Sequence, residues 1–565
     1  MTQPPGQQPP QGGFGAPYDP PPGSYGTQPP GPYGTQPPAQ AAGPYGPAAR
    51  PGPYDAPTQP GPHGVPSQPQ PGGPASGGGG GFFRGRRGAV IGAALAVVLL
   101  AGGGVWLATS GGDDGTKPTA KKSAAPKPDG SSTSDGKSGD KGKDKGPHDL
   151  RAEADGINAK RKPGEAKLLW LQEGGVDLPR NGSDVYGPWV VGDTVVKAMY
   201  HTVSGYSVAD GSQKWSLRLP AAMCAAPSQA TADGKIVLGV ESGHGDQALC
   251  NALQMVDLDT GKAGWHKTYK RQGAWDLLSD PAMAINGDTV TVGRKTRTDA
   301  FRVSDGKVLF GELPGNCQPF GFASGPVAVA AASCQTAADD HKEQLVERID
   351  PATGKVQWTY KVKKGWEVAQ FYSVSPLVVS LKKDRDWAVI MLNADGTYRS
   401  QLVGGTENYM TRCDTDVVSY GKNLDNCLGV AADEKTVYLA TKPDESDPDP
   451  TNKVIAFDMA SGQTRWKASA PAGQTLMPMR VEGGRLLMYL SAAKNKGGGI
   501  ASLPSTGGTP QMVLRHPASA AEAERGLFDT RVAYVNGRSL LVSTTITGIE
   551  DGDEKWAKSM AAFGS

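Results

Sequence analysis

The residues in this sequence most able to do chemistry are its six cysteines, which fall in three neighbouring pairs. The pairs are Cys224/Cys250, Cys317/Cys334 and Cys413/Cys427. A metal or redox site is disfavoured, because the sequence has no Cys-x-x-Cys motif and no histidine at ligand spacing. An even number of cysteines in a segment expected outside the cytoplasm favours structural disulfides. We expect each neighbouring pair to close a local disulfide, although other pairings stay open from the sequence alone.

Histidines and acidic loops are weaker candidates for catalysis or metal binding. The histidines after residue 160 are His201, His244, His266, His341 and His516. They are scattered, and none belongs to a recognisable Ser/His/Asp arrangement, so we expect lone surface histidines. The acidic loops at 444–449 and 550–554 offer hard oxygen ligands for calcium, but neither matches an EF-hand, and we expect solvated turns. The sequence therefore predicts no catalytic, cofactor-binding or metal-ligating residue.

A recurring turn defines the elements that would position any such residues. Its pattern, Asp-x-x-(Ser/Thr)-Gly or a shortened form, lies between apolar strands from about residue 164 to the end. Glycine supplies the positive φ that such a hairpin needs. In most copies an aromatic side chain follows the glycine by four residues, where it can wedge between neighbouring sheets. These copies are Gly211/Trp215, Gly261/Trp265, Gly306/Phe310, Gly354/Trp358 and Gly462/Trp466.

A second tight turn alternates with the first and leads into another apolar strand, as at 192–196 and 286–290. It recurs eight times, with weaker copies near 325–327 and 375–377. Two hairpins per unit give four strands, and four strands in ~40–50 residues are typical of a propeller blade. We therefore predict an all-β fold, an eight-bladed β-propeller with four-stranded blades. Seven blades are the alternative, and the repeat argues against a two-sheet sandwich.

The two ends of the repeat region predict how the ring closes. Residues 561–565 match a third strand and the start of its turn, without a fourth strand after them. Residues 163–170 look like the second half of a turn-plus-Trp unit that ends at Trp170. We expect the strand around Trp170 to complete the last blade, which leaves no free sheet edge there.

The propeller domain is predicted to span residues 164–565, and the residues before it predict three further segments. Residues 1–83 are rich in Pro, Gly, Gln and Tyr and poor in aliphatic side chains, which predicts a disordered tail. Residues 84–110 combine a basic flank with an uncharged apolar run that is long enough to span a bilayer. The positive-inside rule then puts the tail in the cytoplasm and the propeller outside the cell membrane. A signal peptide is disfavoured by the distance of this run from the N-terminus, and residues 111–163 indicate a flexible charged linker.

The repeated Asp-x-x-(Ser/Thr)-Gly-x-x-x-Trp resembles the quinoprotein-type, or PQQ-like, propeller repeat over residues 164–565. Such repeats occur in quinoprotein alcohol dehydrogenases, in the lipoprotein BamB and in actinobacterial membrane proteins with a Pro/Gly-rich tail, one span and an outer propeller. The dehydrogenases hold PQQ against a pair of adjacent cysteines and use a calcium ion. This sequence has no Cys-Cys pair, so the resemblance implies the fold and does not imply that cofactor.

Charge and layout together favour binding over catalysis. The formal net charge of +2 gives no reason to expect a nucleic-acid partner. We favour a membrane-anchored, extracytoplasmic binding or scaffold module that is not an enzyme, with an unknown extracytoplasmic protein or cell-wall ligand as its partner. Two alternatives stay open: a PQQ-dependent oxidoreductase, suggested by the repeat type, and an extracellular sensor that works with a separate kinase.

Overall fold

The structure is a computed structural model, and it describes residues 149–565 except for a set of short internal segments. The segments outside the description are 180–181, 244–247, 274–275, 277, 279–280, 336–342, 405–406, 414–422, 445 and 528. The predicted tail, the predicted span at 84–110 and most of the predicted linker also lie outside the described residues. Among the residues that are described, no helix has the length and hydropathy needed to cross a membrane.

Eight antiparallel sheets form the predicted eight-bladed propeller, which confirms the fold inferred from the repeat. Blades 1 and 2 consist of β2 Gly182–Val191, β3 Thr194–Met199, β4 Thr202–Ser207 and β5 Gln213–Arg218, then β6 Met223–Ala225, β7 Lys235–Ser242, β8 Leu249–Asp257 and β9 Ala263–Thr268. Blades 3 and 4 consist of β10 Ala282–Asn286, β11 Thr289–Arg294, β12 Arg297–Arg302 and β13 Val308–Phe310, then β14 Cys317–Ala323, β15 Val329–Cys334, β16 Glu343–Ile349 and β17 Val356–Lys361.

The second half of the ring repeats this order. Blades 5 and 6 consist of β18 Glu367–Val374, β19 Leu377–Lys383, β20 Asp386–Leu392 and β21 Tyr398–Gln401, then β22 Val430–Asp433, β23 Thr436–Ala440, β24 Lys453–Asp458 and β25 Thr464–Ser469. Blade 7 consists of β26 Leu476–Glu482, β27 Arg485–Leu490, β28 Gly499–Pro504 and β29 Gln511–Arg515. Blade 8 consists of β30 Arg531–Val535, β31 Arg538–Val542, β33 Lys558–Gly564 and β1 Lys167–Glu173, while β32 Thr545–Thr547 pairs with β2 of blade 1.

The ring closes as the sequence predicts, because β1 is the outermost strand of blade 8. It pairs antiparallel with β33, with Leu168 opposite Phe563 and Trp170 opposite Ala562. The first strand of the domain and its last strand therefore share one sheet, so unfolding of either end removes hydrogen bonds from both.

A helix covers the outer side of this closure and corrects part of the sequence interpretation. Helix α1, Leu150–Ala159, lies within the segment 111–163 that was expected to be a flexible linker. Leu150, Ala154 and Ile157 recur at helical spacing and pack on the core of blade 8. The Asn158 side chain donates to the Leu168 carbonyl at 2.8 Å and accepts from the Leu168 amide at 2.9 Å, which extends the edge of β1. The chain is thus ordered before residue 164.

The helix α2, Ala521–Arg525, and the short 3₁₀ turns Ala518–Ala520 and Asp553–Lys555 lie in the connections of blades 7 and 8. Burial follows the position of each strand within its blade. The second strands are buried on both faces, as in β3, β11 and β23, because each sheet packs between two others. The outermost strands β5, β9 and β29 alternate between exposed and half-buried residues, because their outer edge faces solvent.

The recurring turns lock each blade to the next one, which confirms the wedge role predicted for the aromatic residues. Gly261 of blade 2 has φ +69°, and a Cβ at this position would lie 2.4 Å from Trp215 of blade 1. The indole of Trp265 donates to the Val303 carbonyl of the next blade at 2.7 Å. The same stacking recurs at Gly211 on Trp170, Gly306 on Trp265, Gly354 on Phe310, Gly396 on Trp358 and Gly507 on Trp466. At these six turns glycine is therefore required for two reasons, its positive φ and the space that the ring occupies, whereas Gly462 of blade 6 packs against the backbone of Gln401.

Candidate functional site in the central channel

The first strands of neighbouring blades contact one another, as β10 with β14, β22 with β26 and β2 with β30, so they form the inner wall of the ring. A segment between β21 and β22 enters this channel. The Asn423 side chain donates to the Ala226 carbonyl at 2.8 Å and accepts from the Met283 amide at 2.8 Å. One loop residue thus hydrogen-bonds to blades 2 and 3 at once, and it is buried.

The neighbouring residues of this segment reach the next two blades. Asp425 accepts from the Ser228 hydroxyl at 2.8 Å and from the Ser324 amide at 2.6 Å. The Phe371 amide of blade 5 donates to the Leu424 carbonyl at 2.6 Å. Residues 423–425 therefore join the inner edges of blades 2 to 5 and fill that side of the channel; we call them the channel plug.

A covalent clamp holds the loop that carries the channel plug. Cys413 and Cys427 form a disulfide. Beside it, Arg412 and Leu428 exchange two backbone hydrogen bonds of 2.8 and 2.7 Å. Both ends of the loop are thus fixed next to the first strand of blade 6.

On the other side of the channel plug lies a cavity of about 230 Å³. Its walls come from blades 1, 2, 7 and 8, from Arg412 and from the Cys413–Cys427 disulfide. The charged side chains that line it are Arg412, Arg480, Arg531 and Asp529. Three guanidinium groups and one carboxylate therefore line the cavity, and two further carboxylates, Glu482 and Asp184, lie next to Arg480 and Arg531.

The three arginines differ in how well they are neutralised. Arg480 donates to the Glu482 carboxylate at 2.9 and 3.1 Å and to the Tyr534 carbonyl at 2.8 Å. Arg412 approaches the Asp529 carboxylate only to 3.9 Å, which is beyond hydrogen-bond distance. The buried Nε atom of Arg412 has no hydrogen-bond partner among the described residues. Arg412 is therefore the side chain whose charge is least satisfied in this cavity.

Arg531 holds the part of the cavity wall where blade 8 meets blade 1. It donates to the Val185 and Gly187 carbonyls of β2 at 3.3 and 3.1 Å, which ties blade 8 to blade 1. Burial raises the pKa of Asp184, the residue before Val185, to about 6, and the nearby charge of Arg531 opposes that rise. The carboxylate of Asp184 is charged at neutral pH and neutral at mildly acidic pH, so the cavity gains positive potential as pH falls through about 6.

The residues around the channel do not fit the PQQ and calcium of the quinoprotein dehydrogenases. All six cysteines are taken up by disulfides between residues far apart in sequence, so no disulfide joins adjacent cysteines. Over the described part of the chain, no three His, Cys, Asp or Glu side chains are grouped to hold a metal ion. No chemical step through that cofactor follows from this geometry.

The three local cysteine pairs all form disulfides, as their spacing predicts. Cys224 and Cys250 join β6 to β8 across β7. Cys317 and Cys334 lie directly opposite each other on the neighbouring strands β14 and β15. Cys413–Cys427 lines the cavity and is the one that reaches the candidate site.

The expectation of lone surface histidines is wrong for His516. Its Nδ1 atom lies 2.7 Å from Glu524 Oε2 and its Nε2 atom lies 2.6 Å from Ser539 Oγ, a Ser–His–Glu arrangement. The exposed fractions of Ser539, His516 and Glu524 are only 0%, 1% and 3%, and the imidazole stacks on Phe563 at 3.8 Å. Because no substrate can reach these atoms, the cluster serves to join blade 7, α2 and blade 8.

The other histidines and the first acidic loop do not form a site among the described residues. His266 is exposed, His201 stacks edge-on against Tyr200, and His244 and His341 lie outside the described residues. In the first acidic loop, Asp444 accepts from the amide and hydroxyl of Ser446, as a solvated turn would.

The second acidic loop departs from its expected role as a solvated turn. Glu554 is 0% exposed, and its carboxylate accepts from the Leu178 amide at 3.0 Å. The expectation is wrong for Glu554, because the 3₁₀ turn Asp553–Lys555 packs against β32, whereas Glu550 and Asp551 are exposed as a solvated turn would be.

The cavity residues could not be found by motif. Arg412, Arg480 and Arg531 lie on different blades, and no spacing rule links them. The sequence feature nearest to them is the cysteine pair Cys413/Cys427, whose predicted disulfide lines the cavity.

A family profile described as "Outer membrane protein assembly factor BamB" matches residues 163–312 and 342–564, well over half of the chain. The chain belongs to this family. The match spans the propeller and agrees with the repeat-based assignment.

The solved structures to which the chain is similar have low sequence identity to it. BamB from Moraxella catarrhalis is 13% identical, with a TM-score of 0.38, and the alignment covers 69% of this chain and 100% of that one. A europium-containing methanol dehydrogenase is 13% identical, with a TM-score of 0.41 and coverage of 71% and 93%. Quinohemoprotein alcohol dehydrogenase from Comamonas testosteroni is 12% identical, with a TM-score of 0.41 and coverage of 74% and 78%. No curated protein matched by sequence.

Proposed function

We propose that this protein is a binding module, held at the outer face of a membrane by residues 84–110, whose channel cavity receives a carboxylate group of its ligand. The observation that carries the proposal is Arg412, a cavity-lining guanidinium without a hydrogen-bonded carboxylate. A carboxylate on a ligand would supply the two acceptor oxygens that a guanidinium binds best.

The rigidity of the cavity supports binding. Its floor is pinned by the channel plug and by the Cys413–Cys427 disulfide, so little conformational entropy is lost when a ligand enters. A ligand would meet arginines that are already held in place, as Arg480 is by Glu482 and Arg531 by β2.

Three disulfides support the proposal that the propeller lies on the extracytoplasmic side of the membrane, because disulfides persist in oxidising compartments. The family description as an outer membrane protein assembly factor supports a role in holding other proteins. On this basis we propose that the natural partner is an extracytoplasmic protein or cell-wall peptide that presents a carboxylate to the cavity.

The binding proposal is tested with citrate, a small tricarboxylate, titrated calorimetrically into the full chain in detergent. Substitution Arg412→Gln should weaken binding by about tenfold or more, which corresponds to about 1.4 kcal/mol. The matched control is Arg399→Gln, which removes a half-buried arginine that donates to the Glu434 carbonyl on the outer part of the ring. Equal affinity for wild type and Arg412→Gln, or no binding of citrate at low salt, would contradict the proposal.

Membrane orientation has its own test. In intact cells stripped of their wall, added protease should cleave the propeller side and spare residues 1–83. Protection of the propeller with cleavage of the tail would reverse the proposed topology.

An activity assay tests the alternative that the protein is an oxidoreductase. Quinone-dependent dye reduction after addition of PQQ and calcium would overturn the binding role in favour of that activity.

A further inference from the structure

A buried lysine lies at the junction of blades 8 and 1, away from the arginine-lined cavity. Lys197 on β3 is 4% exposed. Its Nζ atom donates to the Glu173 carbonyl at 2.9 Å and to the Ser559 hydroxyl at 2.5 Å. Neither acceptor carries a charge, and among the described residues no carboxylate forms an ion pair with this amine.

The hydrogen-bond count around Lys197 favours the neutral amine. The single Ser559 hydroxyl hydrogen is donated to the Glu173 carbonyl at 2.7 Å or the Gln172 carbonyl at 3.2 Å, so Ser559 can only accept from Lys197. A neutral amine has two N–H groups, and both are then satisfied. The third N–H of an ammonium would have no oxygen acceptor among the described residues; it would meet only the face of the Tyr206 ring, 5.8 Å from Nζ, which is near the outer limit of a cation–π contact.

Burial acts in the same direction. It lowers the pKa of Lys197 from 10.5 to about 7, because the charged form loses its hydration. At neutral pH a large share of the molecules therefore carries a free lone pair at Nζ. This lone pair occupies the position that the two hydrogen bonds leave open.

Lys197 lines a cavity of about 430 Å³, which falls in the range of small-molecule sites. The walls are polar and mostly uncharged, with Thr202, Ser204, Ser216 and Gln213 from blade 1. The other titratable side chains along the lining are Glu173 and Tyr206. Such a lining suits a small, polar, hydroxylated molecule without net charge.

We propose that this cavity binds a small hydroxylated aldehyde and that Lys197 forms an imine with it. The Nζ lone pair attacks the carbonyl carbon, and the π electrons of the carbonyl move to its oxygen. This oxygen then leaves as water with the two hydrogens of the amine, which gives the C=N bond without an oxidant or reductant and ends the hydrogen bonds that Nζ donated to the Glu173 carbonyl and the Ser559 hydroxyl. The two N–H groups that Nζ donates hold it in place during the attack. The inference stands independently of the proposed carboxylate site, since the two cavities share no residue.

Reductive trapping with glycolaldehyde and cyanoborohydride, applied to the full chain near neutral pH, tests this proposal. Peptide mapping by mass spectrometry would compare Lys197 with Lys262, an exposed lysine in the turn before β9. A lysine with an ordinary pKa is neutral in only about one molecule in 2,500 at pH 7. We expect Lys197 to be labelled about tenfold faster than Lys262 in spite of its burial.

Two variants test whether labelling of Lys197 depends on the cavity or reflects the general reactivity of lysine side chains. Lys197→Met should lose this label, while labelling at Lys262 stays the same. Ser216→Phe narrows the mouth of the cavity from the exposed strand β5 and should slow labelling of Lys197 about fivefold without changing the fold. Slower labelling of Lys197 than of Lys262, or labelling that Ser216→Phe leaves unchanged, would overturn the proposal.

Discussion

Replacing Gly261 with alanine tests the lock between blades most directly. Gly261 has φ +69°, and a Cβ there would lie 2.4 Å from the Trp215 ring of the preceding blade. Gly287 offers a matched control, because it has a similar φ of +61° but no atom within 4 Å of the Cβ position. The two substitutions impose the same backbone conformation on alanine and differ in the contact with tryptophan.

The expected magnitudes follow from these two terms. The left-handed conformation costs alanine about 1–2 kcal/mol at either site. Overpacking against Trp215 adds about 1–3 kcal/mol at Gly261 alone. Gly261→Ala should therefore lower the free energy of unfolding by about 2–5 kcal/mol, and Gly287→Ala by about 1–2 kcal/mol.

Equilibrium urea unfolding of the full chain, followed by far-ultraviolet circular dichroism, measures both effects. In a Trp215→Ala background the ring is gone, so Gly261→Ala should cost no more than Gly287→Ala. An equal effect of the two glycine variants in the wild-type background would refute the wedge. So would a Gly261→Ala penalty that Trp215→Ala leaves unchanged.

Three further outcomes are expected. Replacing Cys413 and Cys427 with serine should lower the free energy of unfolding by about 2–3 kcal/mol in urea unfolding curves. The same double variant should also lose citrate binding in the calorimetric titration. Retained binding would show that the cavity does not need the disulfide. In the wild type, the pKa of Asp184 is about 6 in the folded state and near the ordinary 3.8 in the unfolded state. The folded protein therefore gains stability as the pH falls from about 7 to 4, because it binds this proton more tightly than the unfolded chain does. Asp184→Asn removes the titrating group and should flatten this pH dependence of stability. Melting curves at several pH values would detect this change, and identical profiles would argue against the raised pKa of the half-buried Asp184. His516→Ala should destabilise by about 1–3 kcal/mol, because it removes the hydrogen-bond partner of the buried Glu524 Oε2 and Ser539 Oγ atoms. Alanine at the exposed His266 should have little effect in the same urea assay, and similar losses at both sites would contradict the role assigned to the cluster.

The blades could be predicted from the sequence because their determinants are local. A turn such as 257–261 contains its own Asp, Thr and Gly, and its aromatic partner recurs at a fixed distance in each copy. Even the closure was readable, since Trp170 carries the second half of the same repeat. Each of these features needs only a short stretch of chain to be recognised.

The candidate sites could not be predicted, because each combines residues from distant parts of the chain. Arg412 and Arg531 become neighbours only when the ring closes. Lys197 is an ordinary lysine in a strand until β1 and β33 surround it. His516 likewise becomes buried through contacts with α2 and β31, which no periodicity in the sequence encodes.

The channel plug was missed for a related reason. Residues 423–425 belong to a long connection, and such connections normally run over the surface. Here polar side chains such as Asn423 satisfy the inner edges of the blades, which makes burial of the loop favourable.

The central claim, that the ring binds a carboxylate ligand in its channel, is tested most directly by an experimental structure of the full chain with citrate. The account predicts ligand density in the cavity of about 230 Å³, with a carboxylate within hydrogen-bond distance of Arg412. Citrate bound only on the outer surface, with the arginine-lined cavity free of it, would contradict the claim.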